Sequence, residues 1–237
     1  MSNALPQQFT SSSAVTHRDM SQPGAINALF DREAISRVVL QWGLYRDGGR
    51  WDCLRALYAP DALMCTTWFR GSAEEFVRLS IVAAAKGARV QHFVGTPSIS
   101  LNGDRAIAET RMTILVRAMV ADTEVDVTCF GSFHDWLVHL DAEWRILKRV
   151  PVYEKDRIDA VDPKRDIRLD PVALSRFAEG YRHLAYVQSL IGENLPQGLP
   201  THGSEEEKAL HAESIAWLSG GESRAPDAGK LALEVGP

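Results

Sequence analysis

Two side chains in this sequence have the types and settings to move protons. Asp47 stands in Tyr45-Arg46-Asp47-Gly48-Gly49-Arg50-Trp51-Asp52, four residues before Trp51, and His92 stands in Gln91-His92-Phe93-Val94-Gly95. A carboxylate at the end of a pocket-lining helix can orient an imidazole at the start of a sheet, and the oriented ring can take or return a proton. That is the chemistry of lyases, dehydratases and isomerases. A carboxylate near the negative end of a helix dipole is electrostatically disfavoured, so Asp47 needs a reason to be there. A lone histidine is more often a core residue bonded to a backbone carbonyl. Facing Asp47 in an apolar pocket, which would tune its proton affinity towards neutrality, it becomes an acid–base group.

The elements that must position this pair can be read from periodicity. Ile35, Val38, Val39, Trp42 and Tyr45 recur at three- and four-residue steps, which predicts an amphipathic helix over Asp31–Tyr45 that Gly48-Gly49 ends. A short helix from Trp51 to Tyr58, a strand over Ala62–Trp68 and a third helix opened by the capping-box pattern Ser72-Ala73-Glu74-Glu75 follow. Beyond Gly87 the texture becomes strand-like over Val90–Leu101, Arg105–Val120, Glu124–Leu140 and Glu143–Tyr153. The intervening Asn102-Gly103-Asp104, Ala121-Asp122-Thr123 and Asp141-Ala142 suit hairpin turns. Three helices and a four-strand meander predict an α+β fold, with helices packed on one curved sheet. After a charged connector at Asp162–Asp166, two helices are expected near Val172–Ile191 and Ser204–Leu218. The polar residues 1–24 read as a disordered arm and the residues from Gly220 as a loose tail.

The remaining candidates are weaker. Trp42, Trp68 and Phe93 read as core or pocket wall, and Tyr45 as a packing residue that need not share a helix face with Asp47. Arg149 and Tyr153 fall on one face of the last strand and Lys148 on the other. An arginine pointing inward would need an anion or phenolate, and a salt bridge at the rim is the plainer expectation for Arg149. Glu109 and Arg111 share a strand face and read as an outer ion pair. His134 and His139 lie five apart in a strand, on opposite faces, and His183, His202 and His211 lack ligand spacing, so no metal site is expected. No glycine-rich phosphate loop or nucleophile elbow is present, which argues against nucleotide cofactors and serine hydrolysis.

The length of 237 residues, 45% of them hydrophobic, suits one large domain, or a compact one with an appendage. A net charge of −5 argues against an obligate nucleic-acid binder. Three scattered cysteines, Cys53, Cys65 and Cys129, without a CxxC pair, fit a reducing cytoplasm. No apolar stretch reaches a membrane-spanning length, and the N-terminal residues lack the pattern of a secretory signal.

With these pieces in place, residues 31–160 resemble the nuclear-transport-factor-two-like superfamily, and within it the polyketide-cyclase-like and scytalone-dehydratase-like branch. The motifs that carry the resemblance are Asp47 through Trp51-Asp52, Leu54-Arg55 and Ala59-Pro60, then Ala73-Glu74-Glu75-Phe76 and Gln91–Gly95. The resemblance implies a cone-shaped α+β barrel, its curved mixed or antiparallel sheet wrapped around helices over a deep apolar pocket. It also implies that Asp47 and His92 are the catalytic pair. The sequence departs from the dehydratase pattern where a second histidine is expected, at Thr110, and where pocket tyrosines are expected, at Arg46 and Thr66. The end of the last strand and the Glu179–Tyr186 motif resemble a bacterial subgroup with a C-terminal helical extension, found largely in degraders of aromatic compounds.

The reading that follows divides the chain into an arm (1–24), a cone-shaped catalytic domain (25–161), a helical extension (162–219) and a tail (220–237). It expects a cytoplasmic, cofactor-independent lyase, with neither metal nor other cofactor, acting on a small apolar, aromatic molecule, a class that includes lignin-derived ones. Water or formaldehyde would be the leaving group. Asp47 and His92 are the candidate catalytic residues, and Tyr45, Trp42, Trp68, Phe93, Thr110, Arg149 and Tyr153 the candidate substrate contacts. Tyr45 or Arg149 would stabilise developing negative charge. A homo-oligomer, dimer or trimer, is expected, with neither nucleic-acid nor membrane partners. An isomerase or cyclase using the same pair, a non-catalytic binding or assembly module, and the small subunit of a ring-hydroxylating oxygenase are the alternatives.

Overall fold

Helix α1 (Pro23–Asp47) begins earlier than its apolar periodicity indicated and ends where the two glycines stand. The computed structural model describes residues 23–192 and 195–221, so nearly all of the expected arm and tail lies outside the described residues. Gly49 takes a left-handed backbone (φ 66), and the Arg50 N–H reaches back to the Tyr45 carbonyl at 2.8 Å. This is the bond of a Schellman cap, which satisfies a carbonyl the helix leaves open. Along α1 the residues in the core are Ile35, Val39, Trp42 and, one turn later, Arg46 rather than Tyr45.

Helix α2 (Trp51–Ala56) and strands β1 (Tyr58–Cys65) and β2 (Arg70–Ser72) lead into α3 (Ala73–Ala85). The Ser72 hydroxyl caps α3 by accepting the Glu75 N–H at 3.2 Å, as the capping pattern indicates. The strand expected over Val90–Leu101 is two strands, β3 (Arg89–Val94) and β4 (Ser98–Asn102), parted by Gly95-Thr96-Pro97. Proline cannot donate to a ladder, and both strands pair with the same long neighbour, β5 (Arg105–Val120). Strands β6 (Thr123–Leu140) and β7 (Glu143–Ala160) complete the meander. The turn between them has positive φ at both Asp141 (51) and Ala142 (66), the conformation that matches the twist of a two-residue hairpin.

The sheet order is β2-β1-β7-β6-β5-β3, with β4 also on β5, and only β1 and β7 run parallel. The sheet curves into a cone but does not close. Register shifts between Phe130 and Gly131 and between Trp136 and Leu137 mark bulges against β7, and bulges bend a strand. At the first, a Cβ on Gly131 would stand 2.3 Å from the Val152 carbonyl oxygen, so only glycine fits.

The expected helix over Val172–Ile191 is broken into α4 (Pro171–Leu174), a 3-10 turn (Glu179–Tyr181) and α5 (Arg182–Ser189). The break presses Gly180 against β7, where an added Cβ would meet the Tyr153 carbonyl at 3.0 Å. It also frees the Leu184 N–H to bond the Asp156 carboxylate on β7 at 2.8 Å. Strand β7 itself runs past Tyr153 to Ala160. Helix α6 (Glu205–Leu218) lies over the outer face of the sheet, burying Leu210, Ser214 and Trp217. No helix among the described residues is long and apolar enough to cross a membrane.

Candidate active site

The end of α1 and the middle of β3 meet inside the cone. Asp47 Oδ1 lies 2.8 Å from His92 Nδ1, and Asp47 Oδ2 accepts the His92 backbone N–H at 2.5 Å. A carboxylate can only accept, so Nδ1 carries the proton and Nε2 keeps its lone pair. The His92 side chain is 8% exposed, and burial pulls its proton affinity below that of an ordinary histidine, against the opposing pull of Asp47. The resting ring is therefore a neutral base.

His92 lines a narrow cavity bounded by Trp42, Trp68, Phe76, Ile114, Phe133 and Pro151, with polar groups from Arg46, Thr66, Thr67, Tyr153 and Gln188. The Trp42 ring meets His92 edge-on at 5.1 Å and is itself held by a 2.6 Å hydrogen bond from its Nε1 to the Tyr58 hydroxyl. Leu184 and Gln188 come from α5, so the extension forms a cap over part of its own chain's cavity. The cap is fixed by a second aspartate–histidine pair. Asp156 takes the His183 ring at 2.8 Å through Oδ1 and the Leu184 N–H through Oδ2.

Of the sequence-based candidates, Trp42, Trp68, His92 and Tyr153 line the cavity, and Asp47 stands directly behind His92. Four do not line it. Phe93 is 71% exposed, because alternate residues of a strand face opposite ways and His92 faces in. Tyr45 lies off the buried stripe of α1, beside the Arg50 guanidinium. Thr110 is buried, with a hydroxyl that finds no partner among the described residues. Arg149 points inward rather than into a salt bridge at the rim, and its anion is internal. Its Nε and one Nη bond both oxygens of Asp135 at 2.6 and 2.7 Å. Its guanidinium packs against both the Trp42 and Phe133 rings, 4.3 and 4.2 Å from their centroids, where those rings meet edge-on at 5.3 Å.

The cation that does reach the cavity is Arg46. Its side chain is 10% exposed, and its nearest carboxylate contact is Asp47 Oδ1 at 3.7 Å. Burial depresses its proton affinity, partly offset by Asp47. The signal for it was the spacing Ile35-Val39-Trp42-Arg46, which continues the buried stripe. Thr66, the other position where the family pattern has a tyrosine, also lines the cavity.

Away from this site, the expected Glu109–Arg111 ion pair does not form, since Arg111 bonds Glu154 at 2.8 Å. Instead Glu109, His134 and His211 gather on the outer face, with one ligand-type atom of each within 4.8 Å of the others. Spacing within a single strand could not reveal a cluster drawn from two strands and a distant helix.

Comparisons with known proteins find relatives of this chain in sequence and in structure. The chain is 26% identical over 231 residues to pea pathogenicity protein 2 of Fusarium vanettenii, covering 92% of this chain and 96% of that one, so the alignment takes in the C-terminal extension. It is 30% identical over 207 residues to an uncharacterized protein of Aspergillus terreus, covering 79% of this chain and 76% of that one. These relatives are fungal, where the sequence motifs had suggested a bacterial subgroup. Among solved structures, a scytalone-dehydratase-like protein from Novosphingobium aromaticivorans is 16% identical with a TM-score of 0.49, covering 60% of this chain and 99% of that one. The family model of the SnoaL-like domain matches residues 27–150, and the chain belongs to that family.

Proposed function

We propose that the protein is a cofactor-independent lyase that uses His92 as its base on a small, largely apolar, aromatic substrate. The observation that carries this reading is the Asp47–His92 pair at the wall of an aromatic-lined cavity. Asp47 fixes the ring so that Nε2 is the free base. Nε2 takes a proton from a substrate carbon, the electron pair of the broken C–H bond forms a C=C bond, and the neighbouring leaving group departs with its own bonding pair. Where that group is hydroxide, the imidazolium returns the proton to it and water is released. In a retro-aldol variant Nε2 takes the proton of a substrate CH2–OH, and the freed oxygen pair forms the C=O of formaldehyde. The C–C bonding pair forms a C=C in the remaining fragment as the neighbouring leaving group departs and takes the proton from the imidazolium. Arg46 is the group placed to stabilise negative charge developing on a substrate oxygen, a role that falls to neither Tyr45 nor Arg149. Trp42, Trp68 and Phe76 give an aromatic ring flat surfaces to pack on.

The test is a metal-free turnover screen of hydroxylated aromatic monomers and lignin-type dimers. It follows new conjugated absorbance and released formaldehyde, with Asp47→Asn as the control. Turnover that depends on Asp47 supports the lyase, and formaldehyde separates C–C cleavage from dehydration. A folded protein silent across the panel counts against it.

A further inference from the structure

Glu109 on β5 and His134 on β6 are directly paired across the two strands on the outer face of the sheet, and α6 lays His211 over them. We propose that these three side chains form a binding site for a divalent transition metal of the zinc class, one that fastens the C-terminal extension to the cone. Two imidazoles and one carboxylate are a recurrent zinc ligand set, with a fourth position left to water.

The distances decide whether the site is within reach. Bonds near 2.0–2.1 Å place neighbouring ligand atoms of a tetrahedral ion about 3.3 Å apart. His211 Nδ1 is already 3.9 Å from Glu109 Oε1, and all three ligand-type atoms lie within 4.8 Å. Side-chain rotation covers the difference, because His211 and Glu109 are both partly exposed and free to turn.

The protonation state fits as well. The single Ser214 hydroxyl proton goes to the Leu210 carbonyl at 2.7 Å, so the 2.7 Å contact between Ser214 Oγ and His134 Nε2 has the ring donating. With Nε2 donating, Nδ1 is the nitrogen of this 2%-exposed ring that is left to offer a lone pair to a metal. Glu207 stands 3.9 Å from His211 Nε2, on the nitrogen opposite the one that approaches Glu109, where an outer carboxylate steadies a metal-bound imidazole. Competing cations are already occupied. Lys148 is held by Glu213 at 2.8 Å and Arg111 by Glu154, so neither takes the Glu109 carboxylate.

The site is independent of the Asp47–His92 pair, and its test uses the full chain without an affinity tag, stripped with a chelator. Titration with Co2+, read by visible absorption, and with Zn2+, read by thermal unfolding, should show one equivalent bound in tetrahedral geometry. At a hundredfold excess over Kd the unfolding midpoint should rise by about 5–10 °C. Glu109→Gln and His211→Asn, both at partly exposed positions, should each weaken binding by about tenfold or more, while Asp47→Asn should leave it unchanged. Absence of stoichiometric binding overturns the proposal, as does binding that both Glu109→Gln and His211→Asn leave intact.

Discussion

The Asp47 carboxylate grips His92 twice, with Oδ1 on the ring Nδ1 at 2.8 Å and Oδ2 on the backbone N–H at 2.5 Å. One acidic side chain therefore sets the tautomer of the base and anchors β3 to the end of α1. The double grip explains why a carboxylate tolerates the unfavourable end of a helix dipole, where a charge-assisted bond outweighs an interaction of about 0.3–1 kcal/mol.

Asp47→Asn keeps the shape but lets an amide N–H face Nδ1, which forces the proton onto Nε2 and removes the base. Turnover should fall by about 10²- to 10⁴-fold, while far-ultraviolet circular dichroism stays native. Wild-type rates in a folded Asp47→Asn variant would remove His92 from the chemistry.

Acidity should act on rate and stability in the same direction. The proton affinity of His92 lies below the ordinary histidine value of 6.5, because desolvation outweighs Asp47. The acid limb of kcat/KM should therefore fall below pH 6.5, with a plateau above it. For stability, His134 is pushed down to about 3, chiefly by burial and then by His211 and Lys148. Between that value and 6.5 the unfolded chain binds a proton that the native ring refuses, so stability is lost as pH falls. The loss from His134 should reach about 2 kcal/mol at pH 5. Denaturant midpoints measured from pH 7 to pH 4.5 check the sign, and a flat profile would contradict the buried neutral ring.

The amphipathic stripe of α1, the capping serine of α3 and the hairpin turns were all readable because each is a local pattern with one structural solution. So was the juxtaposition of Asp47 and His92, through the family motifs. What could not be read depends on contacts distant in sequence. Strand parity put Arg149 and Tyr153 on one face, but nothing local announced that this face is the inner one, where Asp135 on the neighbouring strand neutralises the arginine. The helix expected over 172–191 breaks because Gly180 must touch β7 and Asp156 must receive Leu184, neither of which is a helix-breaking signal in itself. Phe93 was misplaced by proximity, since the residue beside an inward histidine in a strand faces out.

Asp156 should control the cap without entering the chemistry. Its side chain is fully buried and holds both His183 and the Leu184 N–H at the start of α5, which carries Leu184 and Gln188 to the cavity. Asp156→Asn retains one acceptor and should loosen the cap modestly. Asp156→Ala leaves a buried N–H without a partner, at a cost of about 1–3 kcal/mol. KM should rise more than kcat falls, and amide exchange over 182–189 should accelerate while α1 stays protected. Unchanged exchange there would show that Asp156 is not the anchor.

The buried Arg149–Asp135 pair offers the sharpest separation of structure from catalysis. Both side chains are 0% exposed, and the guanidinium packs against Trp42 and Phe133, two residues of the cavity wall. Removing one partner strands the other's charge in a low-dielectric interior, so Asp135→Asn should cost about 3–5 kcal/mol. Replacing both with apolar residues of similar volume, as in Asp135→Leu with Arg149→Met, removes the unpaired charge and should recover most of that loss. If Arg149 only supports Trp42, the folded double variant should keep its kcat/KM within a few-fold. A large drop in kcat/KM for the folded double variant would instead restore Arg149 as a substrate contact.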